Sequence, residues 1–205
     1  MIIVLTGIDG SGKSTAAHAL VTSVGAHGGK AVLLNNHAGR RTMSVLSART
    51  GIRLPKRLAE ALETTFRVWN VLVSHLRASR FEGLVVMDRH LYCQLALRTT
   101  KGLPRGRFLP WLLKALPAPD AVVHFDIDPG EAHRRIVARG TDDETLEDLI
   151  AFRDAYQQLP EYQDFVNVDA TLPPAELARQ LEGVVNQLGQ RRTESGPRSA
   201  VTKRN

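Results

Sequence analysis

Residues 7–14 form a glycine-rich segment that holds one lysine and two serines. They read Gly-Ile-Asp-Gly-Ser-Gly-Lys-Ser, which fits the pattern of a glycine, any four residues and then Gly-Lys-Ser. Glycines let backbone N–H groups converge on a phosphate without clashes from Cβ atoms. The pattern therefore predicts a nucleotide phosphate loop, in which Lys13 reaches the β- and γ-phosphates and the Ser14 hydroxyl ligates Mg²⁺.

The surroundings of this segment favour the same interpretation, because it follows an apolar run and opens a helical stretch whose N-terminus adds a positive dipole end. We expect the following residues to bind ATP: Gly7, Asp9, Gly10, Ser11, Gly12, Lys13, Ser14 and Thr15. A carboxylate beside bound polyphosphate is repelled, so we expect the Asp9 side chain to point away, toward a second ligand. A local cap or a salt bridge is the alternative explanation of Asp9.

A second acidic position, Asp88, ends another apolar run and is followed by Arg89. In proteins with a phosphate loop, an acid at the carboxyl end of a neighbouring strand helps to hold Mg²⁺. The guanidinium of Arg89 is suited to bind a phosphate through two parallel hydrogen bonds. We therefore predict that Ser14 and Asp88 hold the metal and that Arg89 binds phosphate. A structural Asp–Arg pair at the strand end is the alternative.

Five short apolar runs alternate with stretches of helical spacing. They lie at residues 2–5, 31–34, 84–87, 121–125 and 165–168. Continuous apolar character is expected of strands that are covered on both faces of a parallel sheet. Strand–helix alternation with right-handed crossovers predicts a three-layer α/β fold, in which a five-stranded parallel sheet has helices on both faces.

One helical stretch is strongly amphipathic. Apolar residues, Trp69 among them, repeat at intervals of three and four over residues 58–76, whereas an adjacent polar face contains Arg67 and Ser74. The apolar face could pack within the fold or at an interface between chains. Trp69 and Trp111 are expected to be core or helix-packing residues.

The 205-residue chain has a single cysteine, Cys93. One cysteine excludes a disulfide framework and a metal site built from clustered cysteines. The N-terminus lacks the features of a signal peptide, and no apolar run approaches the ~20 residues that span a bilayer. We therefore expect a cytoplasmic protein that makes no contact with a membrane.

The formal net charge of +6 is concentrated at the C-terminus. Residues 190–205 contain five of the 27 basic residues and one of the 21 acidic residues, so residues 1–189 are nearly balanced. Because residues 190–205 lack apolar periodicity, we predict a disordered basic tail after one domain at residues 1–189. The basic excess is therefore weak evidence for nucleic-acid binding, and no recognition motif supports such a partner.

Four stretches together resemble the thymidylate kinases, a family of nucleoside monophosphate kinases, over about residues 1–188. The phosphate loop extends to Thr15 and has the family's form G-x-D-G-x-G-K-S-T. Asp88-Arg89-His90 is similar to the family's Asp-Arg pair followed by Tyr or His. The third stretch runs from Pro119-Asp120 through Asp126, Asp128, Pro129 and Arg135 to Arg139-Gly140, and the fourth is Val168-Asp169-Ala170.

The resemblance also implies roles for single residues. The fold would be that of a P-loop NTPase with a short lid at about residues 135–153, and the substrates would be nucleotides used with ATP and Mg²⁺. Catalytic roles fall on Lys13, Asp88, Arg89 and Arg139. The acceptor would contact Asp9, Arg67, Arg89, Gln94 and Arg98. Arg135, Arg139 and Arg153 would be lid arginines, Asp169 and Ala170 would border the adenine of ATP, and the protein would be a homodimer.

The segment 91–98 departs from the family pattern, with Cys93, Gln94, Leu97 and Arg98 in place of its serine, small polar residue, aromatic and glutamine. Such changes alter discrimination in a pocket that hydrogen-bonds its ligand. Transfer of the γ-phosphoryl group of ATP to dTMP is the leading hypothesis. A kinase of the same fold acting on a nucleoside or another small metabolite, and a non-catalytic nucleotide-binding module, are the alternatives.

Overall fold

The computed structural model describes residues 1–36, 56–140 and 144–194. Its strands are β1 (Ile2–Thr6), β2 (Ala31–Asn35), β3 (Leu84–Asp88), β4 (Ala121–Asp126) and β5 (Val166–Asp169). They form one sheet in the order β2-β3-β1-β4-β5, and every neighbouring pair is parallel. The five predicted strands are confirmed, with each end within one residue of its expected position.

The helices of the described ranges are α1 (Lys13–Ala26), α2 (Lys56–Ala78), α3 (Leu91–Thr100), α4 (Phe108–Ala115), α5 (Pro129–Arg139), α6 (Leu146–Gln157) and α7 (Pro174–Glu194). They pack in two groups: α1 lies against α7, and α3 lies against α2 and α6. The α/β class is therefore confirmed. None of these helices, within the part of the chain that the structure describes, has both the length and the apolar character needed to cross a membrane.

The centre of the sheet positions the phosphate-loop segment. The middle residues of β1 and β3 are almost wholly buried, which explains their continuous apolar sequence. Leu5 of β1 pairs in register with Asp88 of β3, so the carboxylate and the loop that follows β1 lie at the same edge. After β1 the chain forms β2 and β3 on one side of β1, and then β4 and β5 on the other side. The direction of strand order changes at β1, and ligands of open α/β sheets bind at such a switch point.

Helix α2 turns its polar face inward. Arg67 and Ser74 are only 8% and 6% exposed, whereas Phe66, Trp69 and Leu76 are 54%, 63% and 52% exposed. The reason is that the polar side chains find partners at the carboxyl edge of the sheet, as Ser74 does with a 2.7 Å hydrogen bond to Asn36. The apolar face therefore does not pack within the described part of the fold.

Neither tryptophan lies in the core, which was the first of the two roles expected for them. Trp111 is 62% exposed on α4 and stacks on Phe108, with their ring centroids 6.1 Å apart. Trp69 lies on the outer face of α2. Neither side chain fills the core, whose largest fully buried residues include Tyr156 and Phe125.

The last helix also corrects the predicted domain boundary. Helix α7 continues to Glu194, so residues 190–194 are helical and the start of the disordered tail at residue 190 is wrong. Arg192 donates to Asp120 with Nη2 at 2.6 Å, and Asp120 in turn accepts from the Ile2 backbone N–H at 2.7 Å. This contact ties the helix end to the start of β1. Residues 195–205 lie outside the described residues.

The predicted lid at residues 135–153 spans two helix ends. Helix α5 ends at Arg139 with Gly140 in the left-handed conformation (φ 63°), and α6 begins after Thr145, whose hydroxyl accepts from the Asp148 N–H at 3.1 Å. Residues 141–143 lie outside the described residues. Helix α6 packs on α3 through buried residues such as Leu149, so the far end of the predicted lid is part of the core.

Candidate active site

The loop between β1 and α1 needs glycine for two reasons. Gly7, Gly10 and Gly12 all have positive φ values of 132°, 81° and 83°. A Cβ atom at Gly10 would lie 2.5 Å from the Ala132 carbonyl oxygen, and one at Gly7 would lie 2.7 Å from that of Phe125. The loop therefore presses against α5 and the end of β4, and glycines at these positions let backbone N–H groups converge on a phosphate.

Lys13, the first residue of α1, is buried beneath this loop. Its Nζ donates to the Ile8 carbonyl at 2.6 Å and to the Ser11 hydroxyl at 3.1 Å. Burial lowers the pKa of Lys13 from its usual value of 10.5, because desolvation disfavours the ammonium form. A phosphate at the loop would supply the counter-charge that these neutral oxygens do not.

Ser14 and Asp88 come together across the sheet edge. The Ser14 hydroxyl donates to Asp88 Oδ2 at 2.7 Å. Asp88 is buried, and its second oxygen, Oδ1, has no hydrogen-bond partner among the described residues. A hydroxyl beside a buried carboxylate oxygen that lacks a partner is the oxygen-rich environment that Mg²⁺ prefers. The residues therefore fit the metal that their spacing predicts.

Arg89 follows Asp88 in a strained conformation and forms an ion pair with Asp9. Its φ of 73° is the single positive value outside glycine in the described residues. The guanidinium Nη2 donates to Asp9 Oδ1 of the phosphate loop. The salt bridge that was the alternative explanation of Asp9 is therefore present, and its orientation toward a second ligand stays a prediction.

This acceptor pocket, as we call it, lies between α2 and α3. Its lining residues are Asn36, Arg67, Val71, Arg89, His90, Cys93 and Gln94. With its amide oxygen turned toward Arg67, Gln94 accepts from Nε and Nη1 of that arginine, each at 3.1 Å. The predicted residues Arg67, Arg89 and Gln94 are therefore brought together, two guanidinium groups and an amide around one cavity.

Two further residues of this region, Asn36 and His75, were not predicted from sequence, whereas His90 belongs to the Asp88-Arg89-His90 motif. Asn36 lines the pocket and donates from Nδ2 to the Arg89 carbonyl at 2.7 Å. His75 of α2 and His90 place their Nε2 atoms 2.8 Å apart. Burial lowers the pKa of His90 to about 3, with a smaller contribution from His75, so both rings are neutral at pH 7. In sequence, the only indication that His75 could belong to this region was its position on the polar face of α2.

Comparison with known proteins identifies the family to which the chain belongs. The sequence model of the thymidylate kinase family matches residues 5–181, which is most of the chain. The chain belongs to the thymidylate kinase family. A thymidylate kinase of Caenorhabditis elegans is 28% identical over 199 residues and covers 86% of each chain. A probable thymidylate kinase of Pyrococcus horikoshii is 31% identical over 149 residues, covering 68% of this chain and 71% of the relative.

A third thymidylate kinase, from Xanthomonas oryzae pv. oryzae, is 32% identical over 148 residues, which cover 68% of this chain and 62% of the relative. The family resemblance read from the motifs is therefore confirmed, together with the assignment to the nucleoside monophosphate kinases and the use of ATP as phosphate donor. The residues of this thymidylate kinase family member that depart from the family pattern, at 91–98, lie on helix α3.

Cys93 lies in the core and at the pocket wall at once. It is buried, and its Sγ accepts a hydrogen bond from the Tyr156 hydroxyl at 2.9 Å. Burial raises the pKa of Tyr156, and the neighbouring Cys93 adds to the shift, so the phenol remains a donor at neutral pH. The cysteine therefore links α3 to α6.

The structure does not bring Arg98 to the pocket. Its Nε donates to the Pro104 carbonyl at 2.9 Å in the loop before α4. A guanidinium one turn after Gln94 can reach this loop carbonyl, so Arg98 is held by a local contact and does not line the pocket. The predicted contact between Arg98 and the acceptor stays a prediction.

The three expected lid arginines differ in their contacts. Arg135 donates from Nε to Glu131 at 3.0 Å and from Nη1 to the Ala170 carbonyl at 2.9 Å. Arg153 makes two bonds to the Asp126 carboxylate, at 2.8 and 3.1 Å. Arg139 is exposed at the end of α5. In this conformation Arg135 and Arg153 therefore hold the ends of β5 and β4, and their role as lid arginines stays a prediction.

Asp169 and Ala170 end β5 beside the loop. Ala170 is fully buried, and its N–H donates to the Asp126 carbonyl at 2.8 Å. Asp169 accepts from the Thr171 N–H and hydroxyl at 2.9 and 2.6 Å, which forms a tight turn. These hydrogen bonds lower the pKa of Asp169 below its usual value. Leu177, in the first turn of α7, lies near Gly12, so the helix that follows this turn begins close to the phosphate loop.

Proposed function

We propose that this protein transfers the γ-phosphoryl group of ATP to a nucleoside monophosphate, with dTMP as the preferred acceptor. The observation that carries the proposal is the placement of the phosphate loop and the Ser14–Asp88 pair next to the acceptor pocket. A donor site and an acceptor site that share Arg89 and Asp9 at their boundary support transfer between two bound molecules. The thymidylate kinase names of its relatives support dTMP as that acceptor.

On the donor side, the loop N–H groups and Lys13 bind the β- and γ-phosphates. Ser14 and Asp88 would hold Mg²⁺, directly or through water, because Oδ1 of Asp88 is buried without a partner among the described residues. When bound, Mg²⁺ neutralises charge on the phosphate oxygens of ATP. Asp169 and Ala170 would border the adenine, since the helix that follows them begins close to the loop.

On the acceptor side, the two guanidinium groups have different tasks. Arg89 binds the acceptor's phosphate, for which a planar fork of N–H donors is suited. Arg67 and Gln94 face the base, where their donors and acceptor match the carbonyl and N–H groups of a pyrimidine edge. Asp9, held by Arg89, accepts a hydrogen bond from a sugar hydroxyl. A phosphate-binding arginine in the pocket favours a monophosphate over an unphosphorylated nucleoside.

The reaction itself needs little covalent participation from the protein. An oxygen of the acceptor's phosphate forms a bond to the γ-phosphorus, while the bond from that phosphorus to the β–γ bridging oxygen breaks and ADP keeps the electron pair. Lys13 and Arg89 stabilise the charge from the two sides, and Arg139 adds to it from the end of α5. Arg135 and Arg153 keep the neighbouring turns in place.

A panel of acceptors tests the proposal. ADP release is measured with ATP and Mg²⁺ in the presence of dTMP, dUMP, dCMP, dAMP, dGMP or thymidine, and Lys13→Ala serves as the control for contaminating kinases. We expect the highest kcat/KM with dTMP and no turnover by the Lys13→Ala variant. Turnover of thymidine but of no monophosphate would assign the protein to the nucleoside kinases, and ATP binding without any turnover would favour the non-catalytic module.

We also propose that the outer face of α2 forms a homodimer interface. Phe66, Trp69 and Leu76 are more than half exposed on one helix face. Exposed apolar stripes of this kind are typical of protein interfaces. Light scattering after size exclusion should give twice the monomer mass for the wild type, and a monomer for Trp69→Glu but not for Trp111→Glu. A cytoplasmic location and the lack of a nucleic-acid partner stay predictions.

A further inference from the structure

The backbone at Arg89 has a conformation that an L-amino acid rarely adopts. Its φ of 73° lies in the left-handed region, which glycine usually occupies. Residues persist there only when the surrounding structure holds them, and such positions cluster at functional sites. The conformation turns the chain between the end of β3 and the start of α3, and it directs the Arg89 side chain across the pocket to Asp9.

Asn36 holds this turn from the neighbouring strand. Its backbone N–H donates to the Asp88 carbonyl at 3.0 Å, which continues the β2–β3 ladder by one residue. Its side chain then donates from Nδ2 to the Arg89 carbonyl at 2.7 Å. The second contact satisfies a carbonyl group that the left-handed turn removes from the ladder. Asn36 is 6% exposed, so water does not readily replace it.

Ser74 of α2 fixes the orientation of that amide. Its hydroxyl donates to Asn36 Oδ1 at 2.7 Å, and the side chain is 6% exposed. Because the oxygen of the amide is occupied by Ser74, the NH₂ group must face Arg89. The chain of contacts therefore runs from α2 through Asn36 to the backbone of Arg89, and each contact has an unambiguous donor and acceptor.

We propose that Asn36 and Ser74 are positioning residues that hold Arg89 in its phosphate-binding orientation. This inference rests on the proposed function of Arg89, which is to bind the acceptor's phosphate. Although Asn36 also lines the pocket, its Nδ2 and Oδ1 are both bonded to protein groups, and the Nδ2 bond goes to the backbone of Arg89, so its positioning effect acts on Arg89. Loss of Asn36 or Ser74 therefore weakens recognition of the phosphate and not of the rest of the nucleotide.

The affinities of dTMP and thymidine separate this role from general damage, because the two ligands differ by the phosphate alone. Isothermal titration calorimetry measures both ligands on the wild type, Asn36→Ala and Ser74→Ala. Losing a hydrogen bond that positions a charged group raises the dTMP Kd by about tenfold in Asn36→Ala and about threefold in Ser74→Ala. The Kd of thymidine stays within about twofold of the wild-type value.

Ser79→Ala is the matched control. Ser79 is exposed and follows the end of the same helix, and its hydroxyl bonds the Leu76 carbonyl at 2.9 Å and no other group among the described residues, so its removal leaves the affinities of both ligands unchanged. If Asn36→Ala does not fold, as judged by circular dichroism, Ser74→Ala decides by the same ratio. Equal weakening of dTMP and thymidine, or an unchanged dTMP Kd, overturns the inference. A wild type that binds no dTMP overturns the proposed function instead.

Discussion

The hydroxyl of Ser14 lies 2.7 Å from Oδ2 of Asp88, although 74 residues separate the two in sequence. The parallel register that pairs Leu5 with Asp88 explains this contact, because it brings the end of β3 level with the loop that leads to α1. The hydrogen bond leaves Asp88 Oδ1 buried and without a partner among the described residues. The pair is therefore arranged to receive a cation, and removing either member tests that arrangement.

Asp88→Asn should reduce kcat with dTMP by about 100-fold or more, because it removes the negative charge that would hold Mg²⁺ beside the phosphates. The Mg²⁺ concentration that gives half-maximal rate should rise in the same variant, and chelation of the metal should abolish turnover by the wild type. Asp154→Asn, on the exposed face of α6, is the matched control. A variant Asp88→Asn with wild-type kcat and Mg²⁺ dependence would contradict the assignment of this site.

Lys13→Met should separate activity from stability. The ammonium group of Lys13 is buried against neutral oxygens, and desolvation outweighs its attraction to Asp9 and Asp88, so an apolar chain of similar length removes a net unfavourable charge. We expect the free energy of unfolding without ligands to be unchanged or higher by about 1 kcal/mol, while phosphoryl transfer is lost. Chemical denaturation and the ADP-release assay measure the two effects. A large loss of stability, beyond that of Lys114→Met on the surface, would show that Lys13 is structural.

Much of this site could be predicted from sequence, because several of its residues directly follow the strands of the sheet. The phosphate loop and Asp88 each follow an apolar run, and parallel strands bring their carboxyl ends to one edge. The sequence spacing therefore suffices to bring Lys13, Ser14 and Asp88 together. Arg67 and Gln94 were placed through the family resemblance, and the structure brings both to the same pocket.

The contacts that sequence did not predict depend on tertiary packing. In α2 the polar residues Arg67 and Ser74 are buried, because they find partners at the site. The usual expectation is that the apolar face of a helix packs against the protein. Asn36 gives no signal in sequence, because its role depends on the left-handed backbone of Arg89. The position of the Arg98 side chain also depends on tertiary contacts, because its guanidinium donates to the nearby Pro104 carbonyl.

The different positions of Arg67 and Arg98 lead to a paired prediction. Arg67→Gln should raise the KM for dTMP by about 10- to 100-fold, which is the range for losing a charged hydrogen-bond donor in a buried site. Arg98→Gln should change this KM by less than about twofold, because its guanidinium contacts the loop before α4. Steady-state kinetics with saturating ATP measure both. Equal effects of the two substitutions would mean that Arg98 also reaches the acceptor.

The left-handed backbone at Arg89 predicts an unusual order of stability between glycine and alanine variants at this position. Arg89→Gly should be more stable than Arg89→Ala by about 1 kcal/mol, since glycine adopts a φ of 73° without a steric penalty. The reverse order is expected at Arg134, an exposed position within helix α5, where glycine costs about 1 kcal/mol relative to alanine. Urea denaturation of the four variants measures the two differences. The same sign at both positions would exclude the left-handed conformation at Arg89.

His124 makes the stability of the protein depend on pH. The ring lies in β4 against Tyr156 and Tyr162, with centroid distances of 5.0 and 5.2 Å, and its Nδ1 is 3.2 Å from the Thr6 hydroxyl. Burial lowers the pKa of His124 from 6.5 to about 4. As the pH falls below 6.5, the unfolded chain binds a proton that the folded chain excludes, so stability is lost between about pH 6.5 and pH 4.

We therefore expect the free energy of unfolding to fall from pH 7 to pH 5, and His124→Gln to reduce this fall by up to about 2 kcal/mol, at about 1.4 kcal/mol for each unit of pKa difference. The measured quantity is the difference between the two pH values for each protein, so a general loss of stability in the variant cancels. His18→Gln, an exposed position on α1, serves as the matched control. A fall of the same size in His124→Gln and in the wild type would mean that the His124 ring gains its proton equally well in the folded chain.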